Sequence, residues 1–106
     1  MNTAPRIQVE VHFKPTAAGG RARPAALTTG GYRPHFVVEP GQMLGVVFIH
    51  ADIPAPPPGE TAVATVALMY EGVDYSALVP GAVFDVVEGR QVVATGRVLP
   101  ADKEKK

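Results

Sequence analysis

Residues 19–21 read GGR and residues 30–36 read GGYRPHF, so that two glycine pairs enclose a short basic loop that leads into an apolar segment. Glycine adopts backbone conformations with positive φ that other residues resist. Pro34 fixes its own φ and favours extended geometry at Arg33. The pattern predicts a shaped loop that enters a β-strand at Phe36.

The rest of the chain reads as a succession of short strands. From Arg6 to Lys14 apolar and polar residues alternate strictly, which indicates a strand with one buried face. No segment has helical periodicity, and turn signals recur about every ten residues. Because an open apolar sheet would leave edges exposed, we predict an all-β fold, a six-stranded antiparallel closed β-barrel. The predicted strands are 6–14, 36–38, 43–49, 62–69, 83–87 and 91–99.

Local features refine this prediction. Gly45 interrupts the apolar run 43–49 and indicates a bulge or a close backbone approach. Both sides of the strand 62–69 are mainly apolar, so we expect it to be central and covered on both faces. Glu88-Gly89-Arg90 is typical of a tight hairpin turn. The prolines of 53–59 predict an extended surface loop, with a proline-rich ligand for an aromatic groove as the alternative.

Length and composition favour one domain. A chain of 106 residues with 46% hydrophobic content can bury a core without disulfides or a structural metal. The absence of cysteine excludes disulfides, thiolate metal clusters and a cysteine nucleophile. We divide the chain into a flexible N-terminus (1–5), a barrel domain (6–99) and a charged disordered tail (100–106). Without a secretory signal pattern or a run of about 20 apolar residues, we expect a cytoplasmic protein and no membrane partner.

The charges balance in total but not in position. Ten basic and ten acidic side chains give no net charge, so the total does not favour a nucleic-acid partner. Basic residues nevertheless gather in and beside the glycine-rich loop, at Lys14, Arg21, Arg23 and Arg33. Arg21 and Arg33 are candidates either for partner contacts or for ion pairs with acids of their own barrel. Tyr32 and Phe36 are expected to pack inward as anchors of the fold.

Several motifs occur in the order of one known family over residues 6–99. The alternating first strand is followed by GGR at 19–21 and by Gly-Tyr-Arg-Pro-x-Phe at 31–36. Further matches are Pro24, Gly45, Pro58-Gly59-Glu60 and the final hairpin from Val83 to Val98. The chain resembles the carboxy-terminal (third) domain of bacterial elongation factor Tu and related translation GTPases. The resemblance implies a six-stranded antiparallel β-barrel.

The resemblance also implies a docking role. In that family the barrel packs on the GTPase domain, touches the T-stem backbone of aminoacyl-tRNA and receives part of the nucleotide-exchange factor. The phosphate-binding motif Gly-x-x-x-x-Gly-Lys-Ser/Thr does not occur in this chain, so we expect no GTP hydrolysis and no bound nucleotide. The positions carried over to the partner-binding side, or departing from the family pattern beside it, are Gly19, Gly20, Arg21, Arg33, His35, Asp85 and Arg90.

The departures from the family pattern disfavour RNA. His35 stands where the bacterial factor usually has glutamine, Asp85 where it has a small residue, and Glu39 and Val87 replace basic residues. Fewer cations weaken binding that depends on neutralising phosphates. We therefore predict a non-catalytic module that binds a protein partner through the glycine-arginine loop side. The alternatives are binding of tRNA or another structured RNA, and an enzyme whose pocket would gather His35, Asp85 and Arg90.

Other chemistries receive little support from the residue patterns. The GGR loop would be able to cradle an anion through backbone donors, but no helix pattern follows it, so a structural role is favoured. His50 and Asp52 at spacing two would share one strand face, as metal ligands can, but the three histidines His12, His35 and His50 form no recognised ligand spacing. Ser76 near Asp74 lacks a nucleophile elbow. Asp85 and Glu88 flank a turn rather than a cleft. We expect no catalytic residue, no cofactor and no metal.

Overall fold

The computed structural model describes residues 5–38 and 41–100. Within them seven strands form one antiparallel sheet, and the other regular element is a short 3-10 helix, η1, at Thr16–Ala18. This confirms the all-β prediction. The strands are β1 (Arg6–Phe13), β2 (His35–Val38), β3 (Gln42–Gly45), β4 (Val47–Ala51), β5 (Thr61–Ala67), β6 (Val83–Glu88) and β7 (Gln91–Val98).

Three predictions fall wholly or partly outside the described residues. They are the flexible N-terminus, of which residues 1–4 are affected, the departure at Glu39, and the charged tail at 101–106.

The sheet is curled, and its strand order is β3-β2-β6-β7-β1-β5-β4. The two outermost strands, β3 and β4, are consecutive in the chain and separated only by Val46. The backbone N–H of Val46 donates to the carbonyl of Pro34, and that of Phe48 donates to the carbonyl of Tyr32, both at 3.1 Å. The chain thus passes from one end of the strand order to the other within one residue.

The apolar run 43–49 was predicted as one strand, whereas the structure divides it at Val46 and therefore has seven strands rather than six. The cause lies at Gly45. The hydroxyl of Tyr75 donates to the carbonyl of Gly45 at 2.6 Å, and a Cβ on Gly45 would lie 3.1 Å from ring carbons of Tyr70. The predicted close approach at Gly45 is confirmed, and the polar contact to its carbonyl explains why the strand stops there.

The core lies on the inner face of the curled sheet. β1 shows the predicted alternation, with Val9, Val11 and Phe13 buried. Phe36 stacks on Phe84 with ring centroids 3.9 Å apart and an interplanar angle of 14°. The predicted inward packing of Phe36 is confirmed, since its side chain is fully buried. The largest fully buried side chains are Phe36, Phe48, Leu27, Leu44, Val9, Val11, Val46, Val66, Val86, Val93 and Pro56.

β5 is an interior strand, paired with β1 on one side and β4 on the other, but it is second from the end of the strand order rather than central as predicted. Its predicted coverage on both faces is correct only at its end, where Val66, Ala67 and Leu68 are buried in succession. Nearer its start Val63 is 37% exposed. An apolar side chain on the outer face of a sheet is covered only where another segment crosses it, and the residue pattern alone does not report such a crossing.

Candidate interaction surfaces

The glycine-rich loop and the β6–β7 turn meet at one end of the sheet, which we call the loop end (residues 14–33 and 88–91). Gly19 follows η1 with φ +97°, and Gly30 has φ +80°. Gly20 is required for a different reason, because a Cβ there would overlap the backbone carbonyl of Lys14. Positive φ is therefore confirmed at Gly19 and Gly30, and steric exclusion explains Gly20.

The hairpin turn supports this loop directly. Glu88 pairs with Gln91 across a two-residue connection, and Gly89 has φ +61° while Arg90 does not have positive φ. These signs of φ fit a type II′ turn and confirm the predicted hairpin. The side-chain amide of Gln91 donates to the carbonyl of Gly19 at 2.5 Å. The first glycine pair is thus tied to the β6–β7 hairpin.

A shared carboxylate anchors the loop more firmly. The guanidinium of Arg21 donates to Oε2 of Glu88, and the hydroxyl of Tyr32 donates to the same oxygen at 2.5 Å. The guanidinium also lies 5.3 Å from the centroid of the Tyr32 ring. Of the two alternatives for Arg21, the structure selects the ion pair with an acid of its own chain. We call these three residues the Glu88 anchor.

The Glu88 anchor holds the Tyr32 phenol in its protonated form. Tyr32 is half-buried, and burial together with its hydrogen bond to Glu88 raises its pKa well above the ordinary value. The phenol therefore stays protonated at neutral pH and keeps donating to the carboxylate.

Three arginines around the Glu88 anchor remain exposed. Within residues 5–38 and 41–100 the ion pairs are Arg21–Glu88 and Arg97–Glu10. Arg33 donates from Nε to the carbonyl of Gly30 at 3.2 Å, so it has a backbone partner but no acidic one in these segments. The exposed arginines of the loop end are Arg23, Arg33 and Arg90.

The sequence-predicted site divides between two places. Gly19, Gly20, Arg21, Arg33 and Arg90 lie at the loop end. His35 opens β2 beside it, exposed and paired with Gly45 and Val87. Asp85 lies farther along β6, opposite Val37 and Thr95.

Asp85 lines a groove of about 640 Å³ on the outer face of the sheet, here called the outer groove. One register row crosses it from Val37 through Asp85, Thr95 and His12 to Thr61. His12 and Thr61 share a hydrogen bond of 2.9 Å. His35 and Arg90 do not line the groove, so the pocket expected to combine them with Asp85 is not formed among the described residues. The lining residues are Glu10, His12, Val37, Val38, Thr61, Val83, Phe84, Asp85, Thr95, Gly96 and Arg97.

The remaining candidate side chains make local contacts. The carboxylate of Asp74 accepts from the backbone N–H of Ser76 at 3.0 Å, which lowers the pKa of Asp74 and forms a turn. The carboxylate of Asp52 accepts from the N–H of Val63 at 2.9 Å, beside exposed His50. In the described part of the chain no three histidine, aspartate or glutamate side chains are grouped so as to hold a metal ion.

Neither a family model nor a curated protein sequence matches this chain. Over residues 5–38 and 41–100, none of the helical structure is long and apolar enough to cross a bilayer.

Proposed function

We propose that this protein is a non-catalytic interaction module that binds a protein partner through its loop end. The observation that carries the proposal is the combination of a fixed backbone with exposed cations. The Glu88 anchor and the contact from Gln91 hold the loop, while Arg23, Arg33 and Arg90 stay exposed around it. A prepositioned surface loses little conformational entropy on binding, which favours affinity.

We further propose that the curled sheet is a closed six-stranded barrel like the third domain of elongation factor Tu. In this interpretation β3 and β4 are the two halves of one bent strand. Support comes from the single residue between them, Val46, and from its hydrogen bond to Pro34. The motif order from residue 6 to residue 99 supports the same family, and we propose a cytoplasmic location as expected from the sequence.

The charge at the loop end favours an acidic partner surface. Its exposed arginines have no acidic partner among the described residues, and Glu88 is already shared by Arg21 and Tyr32. Complementary charge accelerates association and selects partners, and arginine is enriched among the residues that dominate interface energies. We therefore expect the partner to present carboxylates to this rim.

Affinity capture with charge-reversed variants tests the proposal. The double change Arg33→Glu and Arg90→Glu alters exposed side chains outside the Glu88 anchor. We expect the tagged variant to lose partners that the wild-type protein captures from its native cell after ribonuclease treatment. Arg6→Glu is the matched control, because Arg6 is exposed at the opposite end of β1. Equal capture by the double variant and the control would remove the loop end from the interface.

Binding of structured RNA is the second candidate, and the same exposed arginines favour it. It predicts that affinity for a tRNA falls steeply with salt, because bound phosphates release counterions. Each lost phosphate contact lowers the slope of log affinity against log salt by about one. A filter-binding titration of wild type and Arg33→Glu measures that slope. Affinity that is insensitive to salt would exclude the RNA hypothesis and leave the protein hypothesis intact.

We propose no catalytic role. A catalytic site would need acid, base or nucleophile side chains that converge on one pocket. Asp85 lines the outer groove, whereas His35 and Arg90 lie outside it.

A further inference from the structure

The outer groove has an apolar margin beside one carboxylate, on the side of β2 and β3. Asp85 is half-buried in the outer face of β6. Val37 is opposite it in β2, and Met43 is opposite Val37 in β3. Val83 precedes Asp85 by two residues, so both side chains project from the same face of the strand. Met43 is 50% exposed and Val83 is 70% exposed, which leaves this apolar margin open to a partner.

Among the described residues that line the groove, Asp85 is the carboxylate without an ionic partner. The other carboxylate there, Glu10, pairs with Arg97 at 3.1 Å. Asp85 has no basic partner within residues 5–38 and 41–100. A partner that covered the groove would remove water from this carboxylate, and such burial is unfavourable unless a cation accompanies it. The groove therefore favours a partner that supplies both a positive charge and apolar side chains.

The spacing of these features matches an extended chain. Val83 and Asp85 are two residues apart on one face of a strand, which corresponds to about 6.6 Å. An extended segment laid along β6 repeats its own side chains at the same interval. A basic residue over Asp85 would then place its second neighbour along the chain over Val83.

We propose that the outer groove binds an extended segment of a partner protein in which a lysine or arginine lies two residues from an apolar side chain. The basic side chain pairs with Asp85 in the row that also holds Val37 and Met43, and the apolar side chain covers Val83. The outer groove therefore favours a basic partner segment, whereas the loop end favours an acidic partner surface. It goes beyond the function proposed above and does not depend on it.

Synthetic pentapeptides test this proposal with the whole protein. The probes are blocked Leu-Ser-Xaa-Ser-Leu peptides in which Xaa is lysine, norleucine or glutamate, and their symmetry makes them indifferent to chain direction. Titrations are followed by NMR of methyl-labelled protein. We expect the lysine peptide to bind about tenfold more tightly than the norleucine peptide, since one added ion pair at a partly buried site contributes on this scale. Methyl signals of Val37, Met43 and Val83 are expected to shift.

Variants separate charge from shape. Asp85→Asn should remove the preference for lysine over norleucine, whereas Asp52→Asn, the same change outside the groove, should keep it. Val83→Ser should weaken both peptides and keep the preference. Methyl spectra without peptide establish that each variant is folded.

Three results would overturn the proposal. One is binding of the glutamate peptide as tightly as the lysine peptide. Another is a lysine preference that survives Asp85→Asn. The third is a shift of the Val37, Met43 and Val83 methyl signals with protein concentration alone, which would assign the groove to contact between copies of this chain. The double variant Arg33→Glu and Arg90→Glu should bind the peptides as tightly as the wild-type protein does. The peptide titration therefore tests the groove independently of the loop-end proposal.

Discussion

The loop end and the outer groove are built in different ways on the same sheet. At the loop end, distant parts of the chain are joined by polar contacts, with the carboxylate of Glu88 serving both Arg21 and Tyr32. In the groove, side chains such as Asp85 and Thr95 are placed by strand register alone. The first surface depends on particular side-chain contacts and on glycine. The second persists wherever the ladder forms, so outward side chains such as Asp85 and Thr95 are free to change without loss of the fold.

Both surfaces share one core, so a substitution in that core is expected to have the largest effect on stability. Phe36 is fully buried, stacks on Phe84 and meets Phe48 edge to face at 6.0 Å. We expect Phe36→Ala to lower the free energy of unfolding by about 3–5 kcal/mol through lost contacts and a cavity. Urea denaturation measures this loss. If the core is common to both surfaces, hydrogen exchange in the loop end and in β6 should accelerate together. Acceleration in one region only would show that the two are separate folding units.

The glycines of the loop give the next largest effect, confined to one surface. Gly20→Ala would force a methyl group against the carbonyl of Lys14, and backbone at that site cannot move aside cheaply. We expect a loss of about 2–3 kcal/mol, within the range for overpacked sites. The methyl group of Gly19→Ala would meet no atom within 4 Å, but the residue would have to keep a positive φ. We expect this to lower the free energy of unfolding by about 1 kcal/mol. Thermal unfolding of the two variants checks this ranking, and equal losses would contradict the steric argument.

The pH dependence of stability distinguishes the loop end from the outer groove, because Tyr32 belongs to the loop end. Its pKa is raised in the folded protein, so as the pH rises above about 10 the unfolded chain loses this proton first. Stability from this residue is thus complete below pH 10 and declines above it by up to about 1.4 kcal/mol per pH unit. Urea denaturation between pH 8 and 11 should show a shallower decline for Tyr32→Phe than for wild type. Parallel curves would mean that the Glu88 anchor does not hold the phenol.

These differences explain how much of each surface could be predicted from the sequence. Positive φ at Gly19, the hairpin turn at Gly89 and the strand at β1 are local properties, and the sequence pattern was sufficient to predict them. The pairing of Arg21 with Glu88 spans 67 positions, so residue types left that alternative open. The break at Val46 depends on Tyr75 reaching Gly45 from a segment without periodicity, which no local pattern reports.

The groove was missed for a related reason. Asp85 was grouped with the loop side because the resemblance marked it as a departure from the family pattern. Its true neighbours across the sheet, Val37 and Thr95, are fixed by register. The outward positions of β1 were readable from its alternation, but the strand order β2-β6-β7-β1 was not.

The two ion pairs give the smallest expected effect and the most direct comparison of the surfaces. The side chains of Arg21 and Glu88 are 27% and 30% exposed, whereas those of Arg97 and Glu10 are 58% and 39% exposed. Water screens the second pair more strongly, and exposed pairs contribute little. In double-mutant cycles with Arg→Met and Glu→Gln changes, we expect a coupling of about 1 kcal/mol at the loop end and about 0.3 kcal/mol in the outer groove. Added salt should reduce the second coupling more than the first, because partly buried pairs are less screened. Equal couplings with equal salt dependence would mean that the loop end is no more rigidly anchored than an ordinary strand surface, and would remove the physical basis for treating it as a prepositioned docking site.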